Sequence, residues 1–141
     1  MANQGNQCCC CPEEICATLD VDAPAADACG CARGCAKLIL TDNVYIGTIE
    51  CGTILIEIAV YFKVVDGVTY KCLRSACLGY PAGYELCEAI YGAVDSCPTF
   101  TIQVTGEQLQ ACGGNPYCTG GELRITCEGL QDTHCKPCKC V

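Results

Sequence analysis

Nineteen of the 141 residues are cysteine, and four stand in a row, Cys8-Cys9-Cys10-Cys11, seven residues after Met1. Neighbouring side chains on an extended chain point to opposite sides, so four adjacent thiols do not easily all find partners inside one compact fold. A tail carrying them reaches another molecule instead. The odd total points the same way. When the other thiols pair, at least one is left for an intermolecular bond or stays free. The pattern predicts a self-assembling, disulfide-stapled structural protein and not an enzyme.

The length fits one domain. Hydrophobic residues make up 51% of the chain, enough to build a core without metal. Sixteen acidic against eight basic residues give a formal charge of −8. That argues against nucleic-acid binding, which needs a basic face, and it helps keep a sticky subunit soluble. No basic start followed by an apolar stretch reads as a secretory signal. The longest apolar run, 54–65, is broken by Glu57 and Lys63 and is too short for a membrane-spanning helix. Cysteine at this density belongs to oxidising surroundings. The expectation is therefore a protein made in the cytosol without a signal peptide and oxidised after release, at the cell or spore surface.

Hydrophobic periodicity predicts an all-β fold. Residues 1–16 read as a flexible connector, 17–130 as the domain, and 131–141 as a cysteine-rich tail. No strand is expected before Lys37. Short strands are expected at 37–41 and 44–51 around Asp42-Asn43. In the run 53–65, Ile54, Ile56, Ile58, Val60, Phe62 and Val64 share one face. Asp66-Gly67 supplies a type I′ hairpin turn before a return strand at 68–74. A loop fills 75–83, and 84–91 is open between helix and strand. Strands follow at 99–105 and, more weakly, 107–112, then a final one at 122–128 after a turn-rich connector. Seven or eight short strands with Gly-, Pro- and Asp-rich loops point to an antiparallel sandwich or jelly roll.

Disulfide cross-linking is the chemistry the cysteines support best. Core cysteines such as Cys72 and Cys127 fit either disulfides or buried free thiols, because small apolar cysteine packs well. Fully extended, a tail of about 15–20 residues spans roughly 50–65 Å, enough to enter a neighbour. The rival reading is a thiolate metal-binding or redox module. Cys29-Gly-Cys31 with Cys35, and His134 with Cys135-Lys-Pro-Cys138 and Cys140, offer knuckle-like spacings. Spacings of this kind arise readily by chance in so cysteine-rich a chain. No thioredoxin-like βαβ pattern surrounds Cys135 and Cys138. His134, the one histidine, fits a surface position better than a Cys–His catalytic pair. Neither Ser75 nor Ser96 lies in a nucleophile elbow. No metal, cofactor or membrane partner is expected.

On the connector cysteines, on Phe100-Thr-Ile-Gln-Val104 and on Thr119-Gly-Gly-Glu-Leu-Arg-Ile-Thr126, the chain resembles the pilus subunits of bacterial endospore appendages. The resemblance covers the tail and the closing strands. It implies a jelly-roll domain behind a flexible connector, stacked by strand augmentation into a helical homopolymer. The connector, here Cys8, Cys9, Cys10 and Cys11 with Cys16 at its end, would form disulfides to earlier subunits. By position, Cys29, Cys31, Cys35 and Cys127 are the candidate acceptors. The tail cysteines Cys135, Cys138 and Cys140 depart from the family and imply further cross-links. The implied partners are other copies of the chain and an anchor protein at the spore surface.

Overall fold

The computed structural model describes residues 13–22, 26–90 and 100–126. Eight antiparallel strands form one hydrogen-bonded sheet: β1 (Glu14–Val21), β2 (Arg33–Thr41), β3 (Val44–Cys51), β4 (Ile54–Val65), β5 (Val68–Arg74), β6 (Leu86–Ile90), β7 (Phe100–Thr105) and β8 (Gly120–Thr126). Two short helices, α1 (Ala26–Cys29) and α2 (Gly106–Ala111), and a 3-10 turn at Ala76–Leu78 complete it. The order across the sheet is β6-β5-β4-β3-β2-β1-β8-β7. Strands β1 to β6 form a continuous meander, and the β8–β7 pair continues the sheet from the other side of β1. The all-β expectation holds. The described strands form one curled antiparallel sheet.

Local chemistry accounts for the meander. Asp42 and Asn43 have φ of 52° and 70°, and Asp66 and Gly67 have 52° and 81°. Positive φ at both central residues is the type I′ geometry whose twist matches the flanking strands. Between β3 and β4, Gly52 turns at φ 63° with its backbone against the Gly30 carbonyl. A side chain there would meet both strain and a collision.

Alternation then sets the faces. On β4, Ile54, Ile56, Ile58 and Val60 are buried, whereas Leu55 and Glu57 are exposed. The expected face runs out beyond Val60, because β4 and β5 extend past the core. Val64 is 66% exposed. The inward rows of β1 (Ile15, Ala17, Leu19, Val21), β3 (Tyr45, Ile49) and β8 (Leu123, Ile125) complete one core. Each fully buried aliphatic side chain there contributes about 1.5–3 kcal/mol of transfer free energy.

The sheet curls so that its ends approach. Lys71 on β5 places its ammonium 5.4 Å from the Phe100 ring centroid on β7. At one end of the core, α2 lies where a weak strand was expected. Thr105 accepts from the Gln108 amide at 3.1 Å, and the Gln108 side chain accepts from the Thr105 amide at 2.8 Å. This reciprocal capping box satisfies two amides of the first turn. Leu109 is thereby buried in the core, and Gln108 also donates to the Leu78 carbonyl at 2.8 Å.

The first strand corrects another expectation. β1 begins at Glu14, inside the segment read as connector, and is central in the sheet between β2 and β8. Cys16 and Thr18, on its outer side, are buried as well as Ile15 and Ala17 on its inner side. A strand covered on both faces loses its polar alternation. The region 84–91, open between two structures, contains β6.

Candidate functional site: the cysteines and the sheet edges

All ten described cysteines are disulfide-bonded. They divide by the face on which they lie. On the core side, Cys29 bonds Cys118, Cys31 bonds Cys51, and Cys77 bonds Cys112. The first two pairs consist wholly of buried residues. They tie the segment around α1 to the approach of β8 and to the end of β3. Backbone and side-chain hydrogen bonds support the same junction. Asn115 donates to the Ala28 carbonyl at 2.7 Å, and Thr53 donates to the Gly113 carbonyl at 2.7 Å. Gly113, at φ 111°, runs with its backbone against the Thr53 carbonyl, where no side chain fits.

On the outer face, sulfur appears in two places. Cys16 on β1 and Cys35 on β2 pack against each other as a small cluster separate from the core. Both are disulfide-bonded. At the other end, Cys72 on β5 stands directly opposite Cys87 on β6, and the two are bonded with a Cα–Cα distance of 4.1 Å. The register runs Val44, Tyr61, Cys72, Cys87 across four strands. Their neighbours Tyr45, Val60, Leu73 and Leu86 turn to the core. Cys72 is fully buried, whereas Cys87 is half-buried. The question left open at Cys72 is answered by this bond.

The sheet ends at β6 and β7. Among the described residues each pairs along one edge only. Neither strand contains proline or lysine, two common protections of an open edge. β7 places Thr101, Gln103 and Thr105 outward, and Gln103 donates to Glu122 on β8 at 3.2 Å. β6 carries Glu88, which meets Lys71 at 3.6 Å.

A charged cluster fastens the overhang of β4 to the loop before β6. Lys63 Nζ lies 2.8 Å from Glu85, and the Gly83 amide donates to the same carboxylate at 2.7 Å. The Lys63 hydrogen bond, with the backbone donors behind it, holds the Glu85 carboxyl down at about 2. Lys63 is raised in turn by its hydrogen bond to Glu85. Burial, and then the charge of Glu85, push Tyr61 up. The Arg74 guanidinium lies 5.5 Å from the Tyr61 ring centroid.

Beside this cluster an open groove of about 480 Å³ crosses the outer face. Ile46 and Ala59 lie in it, with Glu57, Arg74 and Tyr80 along its walls. Ser75 Oγ is buried at its margin with no hydrogen-bond partner, so no base stands ready to activate that hydroxyl.

Cys8, Cys9, Cys10, Cys11, Cys127, Cys135, Cys138 and Cys140 lie outside the described residues, as does His134. Of the other expected positions, Cys16 sits within a central strand, and Cys29 and Cys31 have their sulfurs bonded inside the chain. Cys35 is half-buried and oxidised. Among the described residues no three His, Cys, Asp or Glu side chains gather as a metal site. None of their helices is long and apolar enough to cross a membrane. The Cys72–Cys87 pair and the edge that carries it went unremarked in the sequence. The eleven residues between β5 and β6 contain no two-residue turn that would fix the register, so nothing local in the sequence marks Cys72 and Cys87 as partners. Comparison with protein-family models, with curated proteins and with solved structures returns no match.

Proposed function

We propose that this chain is a structural subunit that self-assembles into a disulfide-cross-linked extracellular filament. Copies pair along sheet edges, and the connector cysteines Cys8 to Cys11 clasp another copy. The observation that carries this reading is the division of the sulfur. Every described cysteine is already oxidised, so the domain is stapled, and nine more cysteines lie in segments beyond the described residues. Disulfides in this number fit an oxidising setting outside the cytosol. The two end strands β6 and β7, each paired along one side only among the described residues, supply surfaces for lateral pairing. In this reading the curled sheet serves as the jelly roll of a spore-appendage subunit.

Electrophoresis with and without reductant tests it. Linked material that collapses to single chains only on reduction is expected. Replacing Cys8 to Cys11 together by Ser should leave the circular dichroism and thermal midpoint of the domain unchanged and abolish the denaturant-resistant species. An unaltered ladder in that variant would exclude the connector as the clasp.

A further inference from the structure

We propose that the Cys72–Cys87 bond is the domain's thiol-exchange site, with Cys87 as the sulfur attacked and a cysteine thiolate of a second copy as the attacker. The identity of the attacker rests on the filament reading; the exchange site does not.

Three observations single out this bond. It lies on the outer face, in the row of Val44 and Tyr61, whereas the Cys29–Cys118, Cys31–Cys51 and Cys77–Cys112 pairs all involve the core cluster. It is also asymmetric. Cys72 is fully buried and Cys87 is half-buried, so an incoming thiolate meets one sulfur only. Finally, Cys87 is the second residue of β6, a five-residue strand at the end of the sheet. An edge strand opens locally at less cost than a central one. The half-buried alternatives lack this freedom. Cys35 is on β2, enclosed by β1 and β3, and Cys77 packs against the core.

The step needs no external oxidant. The thiolate attacks Cys87 Sγ in line with the existing bond. A new S–S bond joins the two molecules, the Cys72–Cys87 bond breaks, and its electron pair leaves on Cys72 Sγ, which takes a proton from water. The number of disulfides is unchanged. The same edge that accepts a neighbour's strand would hold that neighbour's cysteine beside Cys87. Backbone pairing and covalent capture would then occur at one place.

The experiment uses the full chain and glutathione as the probe. Folded protein is incubated with glutathione below the concentration that unfolds it, quenched by alkylation at intervals and mapped by mass spectrometry. The expected first product is a glutathione adduct on Cys87 with a new thiol at Cys72, formed roughly tenfold faster than at any other described cysteine. The Cys72→Ser, Cys87→Ser double variant should lose that product and no other. A first adduct at Cys35, Cys77 or Cys112, or none before global unfolding, overturns the site. In a second arm, copies linked under air are digested without reduction. Cys87 in an inter-chain peptide supports the partner. Linked copies that keep Cys72 bonded to Cys87 overturn the partner and leave the filament reading intact. A Cys87 adduct with no linked copies at all keeps the exchange site and defeats the filament.

Discussion

Two disulfides of this domain share a chemistry and differ in everything around it. Cys31–Cys51 closes a 20-residue separation inside the core, with both residues buried. Cys72–Cys87 closes a 15-residue separation on the outer face, with one residue half-buried on an edge strand. Loop entropy alone makes them nearly equal. The chain-entropy relation gives each about 3 kcal/mol. What separates them is access. The core bond joins two buried residues, whereas the edge bond leaves Cys87 half-buried. The same staple is therefore structural in one place and reactive in the other, and strand order decides which.

The largest expected effect lies on the core side. Cys29–Cys118 spans 89 residues and joins the α1 segment to the approach of β8. Its replacement by two serines should cost about 4–5 kcal/mol, against about 3 kcal/mol for the same change at Cys72 and Cys87. Guanidinium unfolding measures both. Equal losses would break the contrast between a core that needs its bond and an edge that only carries one.

Packing should show the same gradient on a single strand. Ile56 is fully buried, and Val64, eight residues further along β4, is 66% exposed on the overhang. Ile56→Ala should cost about 3 kcal/mol, and Val64→Ala no more than about 0.5 kcal/mol. A comparable loss at Val64, again read from denaturant midpoints, would mean that a neighbour covers the overhang in solution.

How much of this was legible in the sequence follows the same division. The β2–β3 and β4–β5 hairpins were readable because Asp42-Asn43 and Asp66-Gly67 announce their turns and the apolar residues alternate between them. β1 was not, because burial of both Ile15 and Cys16 removes the alternation that marks a strand. α2 was mistaken for a strand although Thr105 and Gln108 spell a capping box. A six-residue helix has too few turns to show its period, so its only signal was the cap. Disulfide partners were illegible because pairing depends on topology. Cys31 and Cys51 meet only when the β2–β3 hairpin folds back. The half-exposed Cys87 looked like any other cysteine until its strand was known to be an edge.

That cap supports a smaller prediction. Thr105 ends the edge strand β7 and starts α2, so it fastens the β7 end of the sheet with hydrogen bonds where β6 is fastened with sulfur. Thr105→Ala should cost about 1 kcal/mol. It should also raise amide hydrogen exchange in α2 before β4. Uniform exchange throughout would show that the helix and its edge do not open as a separate unit.

The smallest effect concerns the charged cluster beside β6. The Lys63 hydrogen bond holds the Glu85 carboxyl at about 2, below its ordinary 4.5. The folded state therefore binds that proton less tightly than the unfolded chain does. Its stabilisation is complete above the ordinary value and fades as the pH falls from about 4.5 towards about 2. Lys63 is raised, so its share is present below its ordinary 10.5 and is lost as the pH climbs through the higher folded value. The pair is 41% and 15% exposed at its two ends, so solvent screens it and the change is small. Glu85→Gln keeps the shape and removes the charge. Thermal midpoints of the two proteins should differ at neutral pH, converge below about pH 4.5 and coincide near pH 2. A gap that persists to pH 2 would assign the contribution of Glu85 to its shape and its bond from the Gly83 amide, leaving the β6 end of the sheet to be held by its disulfide and its ladder.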